Sequence, residues 1–231
     1  MHRALIQFAL AGILAMFASV AARAQTQSIS ELPPAASGGA QTIDGIAARI
    51  EDDVLTESEV RELGAFQLVV DEKAKPRDER IRELADQWIV RSEAKTAKFA
   101  RPSDADVDRA YAKLLQQFPS EAEFKARCAA ADLTDSALRR ILADQLYLSR
   151  FLDYRFRPAI QVDDKQVEAY YEDEFAAVLR KRGQPVPPLE NVDEEIREVL
   201  IQRAVNDRAA KWLDDARARL KIDVVAPEGL S

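Results

Sequence analysis

The chain has very little histidine, cysteine or glycine: one His, one Cys and seven Gly in 231 residues. The single histidine is His2, inside an N-terminal segment that reads as removable. Without histidine, Ser-His-Asp and Cys-His nucleophilic sites have no base. One cysteine, Cys128, cannot form an internal disulfide, and it cannot hold zinc alone. The few, scattered glycines supply no phosphate-cradling loop. No basic run is interleaved with aromatics, and 40 acidic residues outnumber 33 basic ones, so nucleic acid and anionic lipid faces are poor partners. No catalytic residue, metal or cofactor is expected.

What is present begins with His2 and Arg3, an apolar stretch from Ala4 to Ala22, and the small residues Ala22 and Ala24 flanking Arg23. This is the pattern of a secretory signal peptide cleaved after Ala24. An uncleaved anchor is the alternative, because the apolar stretch is nearly long enough to span a bilayer. Cleavage leaves 207 residues (231 less 24). It removes Arg3 and Arg23 but no acid, so 31 basic groups then face 40 acidic ones, a net charge of −9. Residues 25–42, QTQSISELPPAASGGAQT, are too polar and too rich in Pro, Gly and Ser to bury a core, and read as a flexible leader.

A weak period of two follows, with Ile46, Ala48 and Ile50 set against Ala47 and Arg49. Asp52 and Asp53 break it, and Thr56 with Glu59 forms a capping box for a helix. From there the pattern is helical. Pro76 precedes a stripe over residues 77–99, and Ser103 with Asp106 opens the next helix. Ser120 with Glu123 opens a short one, and Thr134 caps a longer one over 135–156 that Pro158 stops. Asp163 with Gln166 starts residues 164–182, which Gly183 ends. GQPVPPLEN, residues 183–191, is a stiff extended connection. Residues 192–220 form one long helix. The chain then closes on KIDVV, residues 221–225, a run of β-formers.

A lone strand at each end of a helical chain needs a partner, because backbone groups in a core do not go unpaired. Pairing of 46–50 with 222–225 is therefore expected. The fold class is all-α, with a small two-stranded β ribbon joining the chain ends.

Three stretches resemble the SurA-type periplasmic chaperones, relatives of the parvulin peptidyl-prolyl isomerases. DGIAARIEDDVLTESEV is similar to that family's opening strand, acidic turn and first helix. The block from Phe118 to Phe175, with Pro158, Val162 and the Tyr170-Tyr171 pair, is similar to its central part. RAAKWLDDARARLKIDVV is similar to its closing helix and strand. The resemblance implies one chaperone domain over residues 43–231. In that family a parvulin domain normally sits between the Tyr-Tyr helix and the closing helix. Here only residues 183–191 occupy the place, far too few for a domain of that size. The resemblance thus implies the chaperone body without the isomerase, located in the periplasm. The implied partners are unfolded or extended polypeptides, outer-membrane protein precursors above all. A dedicated assembly subunit, a degenerate isomerase and a carboxylate enzyme are the rival classes.

The candidate client-binding residues lie on the helix over 135–156. Its ten large apolar or aromatic side chains, from Leu138 to Phe156, spread over more than one face. Either this is the central helix, covered all round, or one side lines an open groove. In the second case Tyr147, Phe151 and Tyr154 stand at the groove's lip, with Tyr170 and Phe175 as the facing wall. Aromatics suit such a surface because they offer area at little rotamer cost. The acidic runs at 51–53, 172–174 and 193–195 fit turns and helix starts better than a site. Cys128, between Phe124 and Leu133, reads as a buried small hydrophobe.

Overall fold

The computed structural model describes residues 44–226; the expected signal peptide, its expected cleavage after Ala24 and the expected leader lie outside them. The described residues open with a hairpin of β1 (Ile46–Ile50) and β2 (Asp53–Thr56), and close with β3 (Ile222–Val224). The three strands form one antiparallel sheet in the order β2-β1-β3. The expected pairing is present in register, with Ala48 opposite Val224, Arg49 opposite Asp223 and Ile50 opposite Ile222. The sheet also has a third strand, β2, in a stretch that reads from sequence as turn and cap. Thr56 serves both roles. It ends β2, and its hydroxyl accepts from the Glu59 N–H while the Glu59 carboxylate accepts from the Thr56 N–H at 2.8 Å.

A β-bulge between Ile46 and Ala48 explains why the alternation in β1 is weak. The extra residue lets two consecutive side chains, Ala47 and Ala48, both face the core. Glu51 turns the hairpin in the left-handed region, at φ 51°. It is also tied to the far end of the chain, because its N–H donates to the Lys221 carbonyl at 3.1 Å and its carboxylate accepts from the Lys221 N–H at 2.8 Å. Arg77 adds a clasp, pairing with Glu57 and donating to the Val225 carbonyl at 3.0 Å.

Between the strands lie α1 (Glu57–Asp71), α2 (Arg77–Thr96), α3 (Asp104–Leu115), α4 (Glu121–Ala130) and α5 (Asp135–Phe156). These are followed by α6 (Asp164–Tyr170), α7 (Ala177–Lys181) and α8 (Asp193–Arg217). A π-helical stretch, Tyr171–Ala176, joins α6 to α7 in one continuous rod, so there are seven separate helices among the described residues. Gly183, at φ 67°, ends that rod in the conformation glycine adopts most easily. The predicted caps Ser103, Ser120, Thr134 and Asp163 all accept a hydrogen bond from the first turn of their helix.

Helix α5 packs against α1, α2, α3 and α8, and most of the core is built on it. One cluster gathers Phe66, Phe124 and Leu138 between α1, α4 and α5. A second holds the inner face of the sheet, through Ala47, Ala48 and Ile50, against Val60 and Ile81 of α1 and α2. A third joins Ile89, Val90, Tyr147, Phe151 and Leu213 from α2, α5 and α8. A smaller lobe stands apart, with Val167 of α6 packed on Val192 and Ile196 at the start of α8. The proline-rich connection folds back on this lobe, where the Tyr171 hydroxyl donates to the Pro187 carbonyl at 2.9 Å.

Candidate functional site

The five residues read from sequence as a groove fall into two separate places. Tyr147 and Phe151 are 4% and 1% exposed and belong to the cluster under α2 and α8. The Tyr147 hydroxyl donates to the Phe99 carbonyl at 3.3 Å, which satisfies its polar end in the interior. These two therefore do not stand at the lip of a groove; they are core, because α5 is covered by four helices. Tyr154, one turn further along, is 64% exposed.

Tyr170 and Phe175 sit in the smaller lobe and do not face Tyr154 across a groove. Tyr170 is half-buried beneath the guanidinium of Arg203, which lies 4.7 Å from the ring centre. Burial pushes the Tyr170 hydroxyl up from its ordinary value. Arg203 in turn makes two 2.7 Å hydrogen bonds to Glu174, holding that carboxyl below its usual range. Phe175 stacks on Tyr171 at 6.0 Å.

What the structure does assemble is an aromatic surface at the C-terminal end of α5. Phe99, in the loop after α2, is the hub. Its ring lies 5.9 Å from Tyr147, 5.6 Å from Phe151 and 5.3 Å from Tyr154, so the exposed Tyr154 rests on Phe99, which itself rests on two buried rings. On the other side of the helix end, Phe156 meets Trp212 of α8 at 5.9 Å. Arg155 lies over both rings and contacts Glu93 of α2 at 3.3 Å. Aromatic and cation–π contacts of this kind hold the rings at fixed angles; Tyr154 is exposed, and Phe99, Phe156 and Trp212 are partly so. Phe99 and Trp212 were visible in sequence only as members of helical stripes. Phe99 leaves its stripe because α2 stops at Thr96, and Lys98 then turns at φ 52°.

The joint between α5 and the smaller lobe is polar. Arg157 pairs with Glu198 and holds that carboxyl below its usual range. Asp153, part-buried beside them, has its carboxyl pushed up, first by burial and further by Glu198. One Asp153 oxygen is enclosed with no hydrogen-bond partner. Cys128 is half-buried, and burial raises its thiol, which disfavours the reactive thiolate. Among the described residues, no group of three or more His, Cys, Asp or Glu converges as a metal site, and no helix is long and apolar enough to cross a membrane.

No protein-family model matches this chain, and no curated protein matches its sequence. The reading of function therefore rests on the surface itself and on the resemblance carried by the three stretches named above.

Proposed function

We propose that this chain is an ATP-independent holdase for unfolded exported polypeptides, chiefly outer-membrane β-barrel precursors, acting in the periplasm. The observation that carries the reading is the aromatic surface at the end of α5. Tyr154 is a large ring left open to solvent yet held on Phe99, and Phe156 and Trp212 flank the same helix end. A pre-ordered ring loses little rotamer freedom on binding, so it contributes apolar area at small entropic cost. Strands of membrane barrels alternate apolar and polar residues, and so present such a surface with a repeated apolar edge. The layout also supports the reading, with the end strands paired and only residues 183–191 at the place where the resembling family carries its isomerase.

Binding an unfolded chain draws it away from aggregation by mass action. With free holdase tenfold above Kd, the shift is about 1.4 kcal/mol, enough to delay aggregation and weak enough to release the client. The test is light scattering from an unfolded barrel protein diluted out of urea. Wild-type protein at up to equimolar ratio slows the scattering without nucleotide. The effect persists at moderate salt, because apolar contact drives it. Tyr154→Ser stays folded and loses much of the protection. Unchanged scattering with the wild type rejects the reading, and tight binding of one folded partner instead assigns the chain to an assembly complex.

A further inference from the structure

β3 covers one edge of β1 and becomes the free edge of the sheet in its place. The Glu51 N–H donates to the Lys221 carbonyl at 3.1 Å and the Val225 N–H to the Ala47 carbonyl at 2.9 Å, with Asp223 opposite Arg49 between them. Backbone groups alternate in direction along an antiparallel strand. Residues 221, 223 and 225 therefore turn theirs toward β1, and Ile222 and Val224 turn theirs outward. Among the described residues nothing pairs with these two outward N–H and two outward C=O groups.

The side chains carry a matching pattern. Ile222 and Val224 lie opposite Ile50 and Ala48, both fully buried, and so point to the core side. Ile222 packs against the cluster beneath the sheet, yet Val224 is 54% exposed, so the apolar side of the sheet runs past its last strand. Asp223, between them, points to the outer side with Arg49 and pairs with Lys221 at 3.1 Å. The other edge offers less, because β2 leads at once into α1 and the Thr56 N–H is committed to Glu59.

These features select the occupant. A strand added antiparallel to β3 bonds it through the residues opposite Ile222 and Val224. Their side chains fall on the core side beside Val224, and the residue between them falls opposite Asp223. A second copy fits poorly. Two β3 strands about a twofold axis, with Ile222 opposite Val224 in both directions, set Asp223 against Asp223, and like charges directly opposite are destabilising. A strand with apolar residues at alternate positions and no acid between them fits.

We infer that the outer edge of β3 receives an extended segment of an unfolded polypeptide as a fourth, antiparallel strand, apolar opposite Ile222 and Val224 and non-acidic opposite Asp223. The inference rests on the holdase reading for the class of chain bound, and gives it a contact through backbone that the aromatic surface at Tyr154 lacks.

The experiment is NMR on the full-length labelled protein, with acetyl-Lys-Thr-Val-Thr-Val-Thr-Lys-amide titrated to millimolar concentration. The amide protons of Ile222 and Val224 are expected to move downfield and exchange more slowly, while that of Asp223, already turned to β1, changes little. N-methylation of both valines should weaken binding by on the order of tenfold or more, through two lost hydrogen bonds and a blocked approach. N-methylation of the central threonine, whose N–H faces away, should not. Glutamate in place of that threonine should weaken binding by about three- to fivefold. Val224→Pro should abolish binding and leave the Asp223 amide protected, since it removes an outward N–H and none of the bonds to β1; should that variant fail to fold, the N-methylated peptides carry the test on the wild type. Tyr154→Ser should leave binding unchanged. Silence at Ile222 and Val224, or equal binding of the two N-methylated peptides, overturns the assignment. So does protection of these amides before peptide is added: protection that grows with protein concentration assigns the edge to a second copy, and protection independent of it assigns the edge to residues of this chain outside 44–226. The scattering assay separates the two proposals. Suppressed aggregation with a silent edge removes this inference and leaves the holdase. Strand binding without suppression keeps the edge and removes the holdase.

Discussion

Replacing Phe151 with alanine tests whether α5 is central or lines a groove. Phe151 is 1% exposed and sits among Phe99, Tyr154 and the buried residues of α2 and α8. Removing a ring so enclosed leaves a cavity and costs about 3–5 kcal/mol. For a domain of this size each kcal/mol moves the melting point by about 2–4 °C, so the drop should be roughly 6–20 °C. Tyr154 provides the internal control. It is 64% exposed, so only about a third of its surface, roughly 70 Å², is withheld from water, worth about 1–2 kcal/mol. Tyr154→Ala should therefore fall by roughly 2–8 °C, toward the low end because its ring can be lost without leaving a void. Thermal melts followed by far-ultraviolet circular dichroism give both values. Phe151→Leu serves where the alanine variant is too unstable to purify, with a smaller loss in the same direction. Equal shifts for Phe151→Ala and Tyr154→Ala, or a Phe151→Ala loss below about 3 °C, would refute the packing argument and return Phe151 to an open surface.

Truncation after Leu220 removes β3, and should lower the melting point and open β1 to rapid amide exchange; exchange rates in β1 unchanged by the truncation would contradict the pairing. Thr56→Ala should cost about 1 kcal/mol in urea unfolding through loss of the capping box, with α1 fraying at its start. Asp153→Asn should raise stability at neutral pH by no more than about 1 kcal/mol, the group being part-exposed. Burial and Glu198 raise the folded-state value of Asp153, so the folded protein favours its protonated form. The advantage of asparagine should therefore vanish as pH falls through that raised value, and a pH-independent gain would contradict the assignment. Glu174 and Glu198 carry the opposite sign. Their folded values are held down by Arg203 and Arg157, so their contribution is present above about pH 4.5 and is lost as pH falls through the lowered values. A prolyl tetrapeptide should isomerise at its uncatalysed rate, tens to hundreds of seconds at 25 °C, in the protein's presence; acceleration proportional to protein concentration would reject the non-enzymatic reading.

Most helix starts were legible in sequence because Thr56, Ser103, Ser120, Thr134 and Asp163 cap them, whereas α2 and α8, without a side-chain cap, showed through Pro76 and the 3.6-residue stripe. The pairing of the end strands was legible because two isolated β-stretches had no other partner. The strand β2 was not, since four residues that end on a helix cap look like turn, and only the bulge at Ala47 makes the hairpin geometry intelligible. The π-helical stretch at Tyr171–Ala176 left no mark, because its residues suit an α-helix equally well. On α5 the sequence showed a surplus of aromatic faces but not which of them α8 would cover. That depends on how Leu213 and Trp212, some sixty residues later, come to lie over Phe151 and Phe156.

The middle position of β1 has a consequence for the order in which the chain is made. β1 and β2 emerge together and can pair at once as a hairpin. β3 emerges only after all the helices between, and Lys221, just before it, bonds Glu51 across 170 residues. Closing a loop of that length in an unstructured chain costs roughly 4–5 kcal/mol, so the third strand can dock only after the intervening helices have brought the ends close. Until then one edge of β1 is open to any other extended chain. A product that stops short of Lys221 keeps that edge open permanently. The three residues of β3 thus cover the open edge of β1, and a chain without them offers that unpaired backbone to any neighbouring strand.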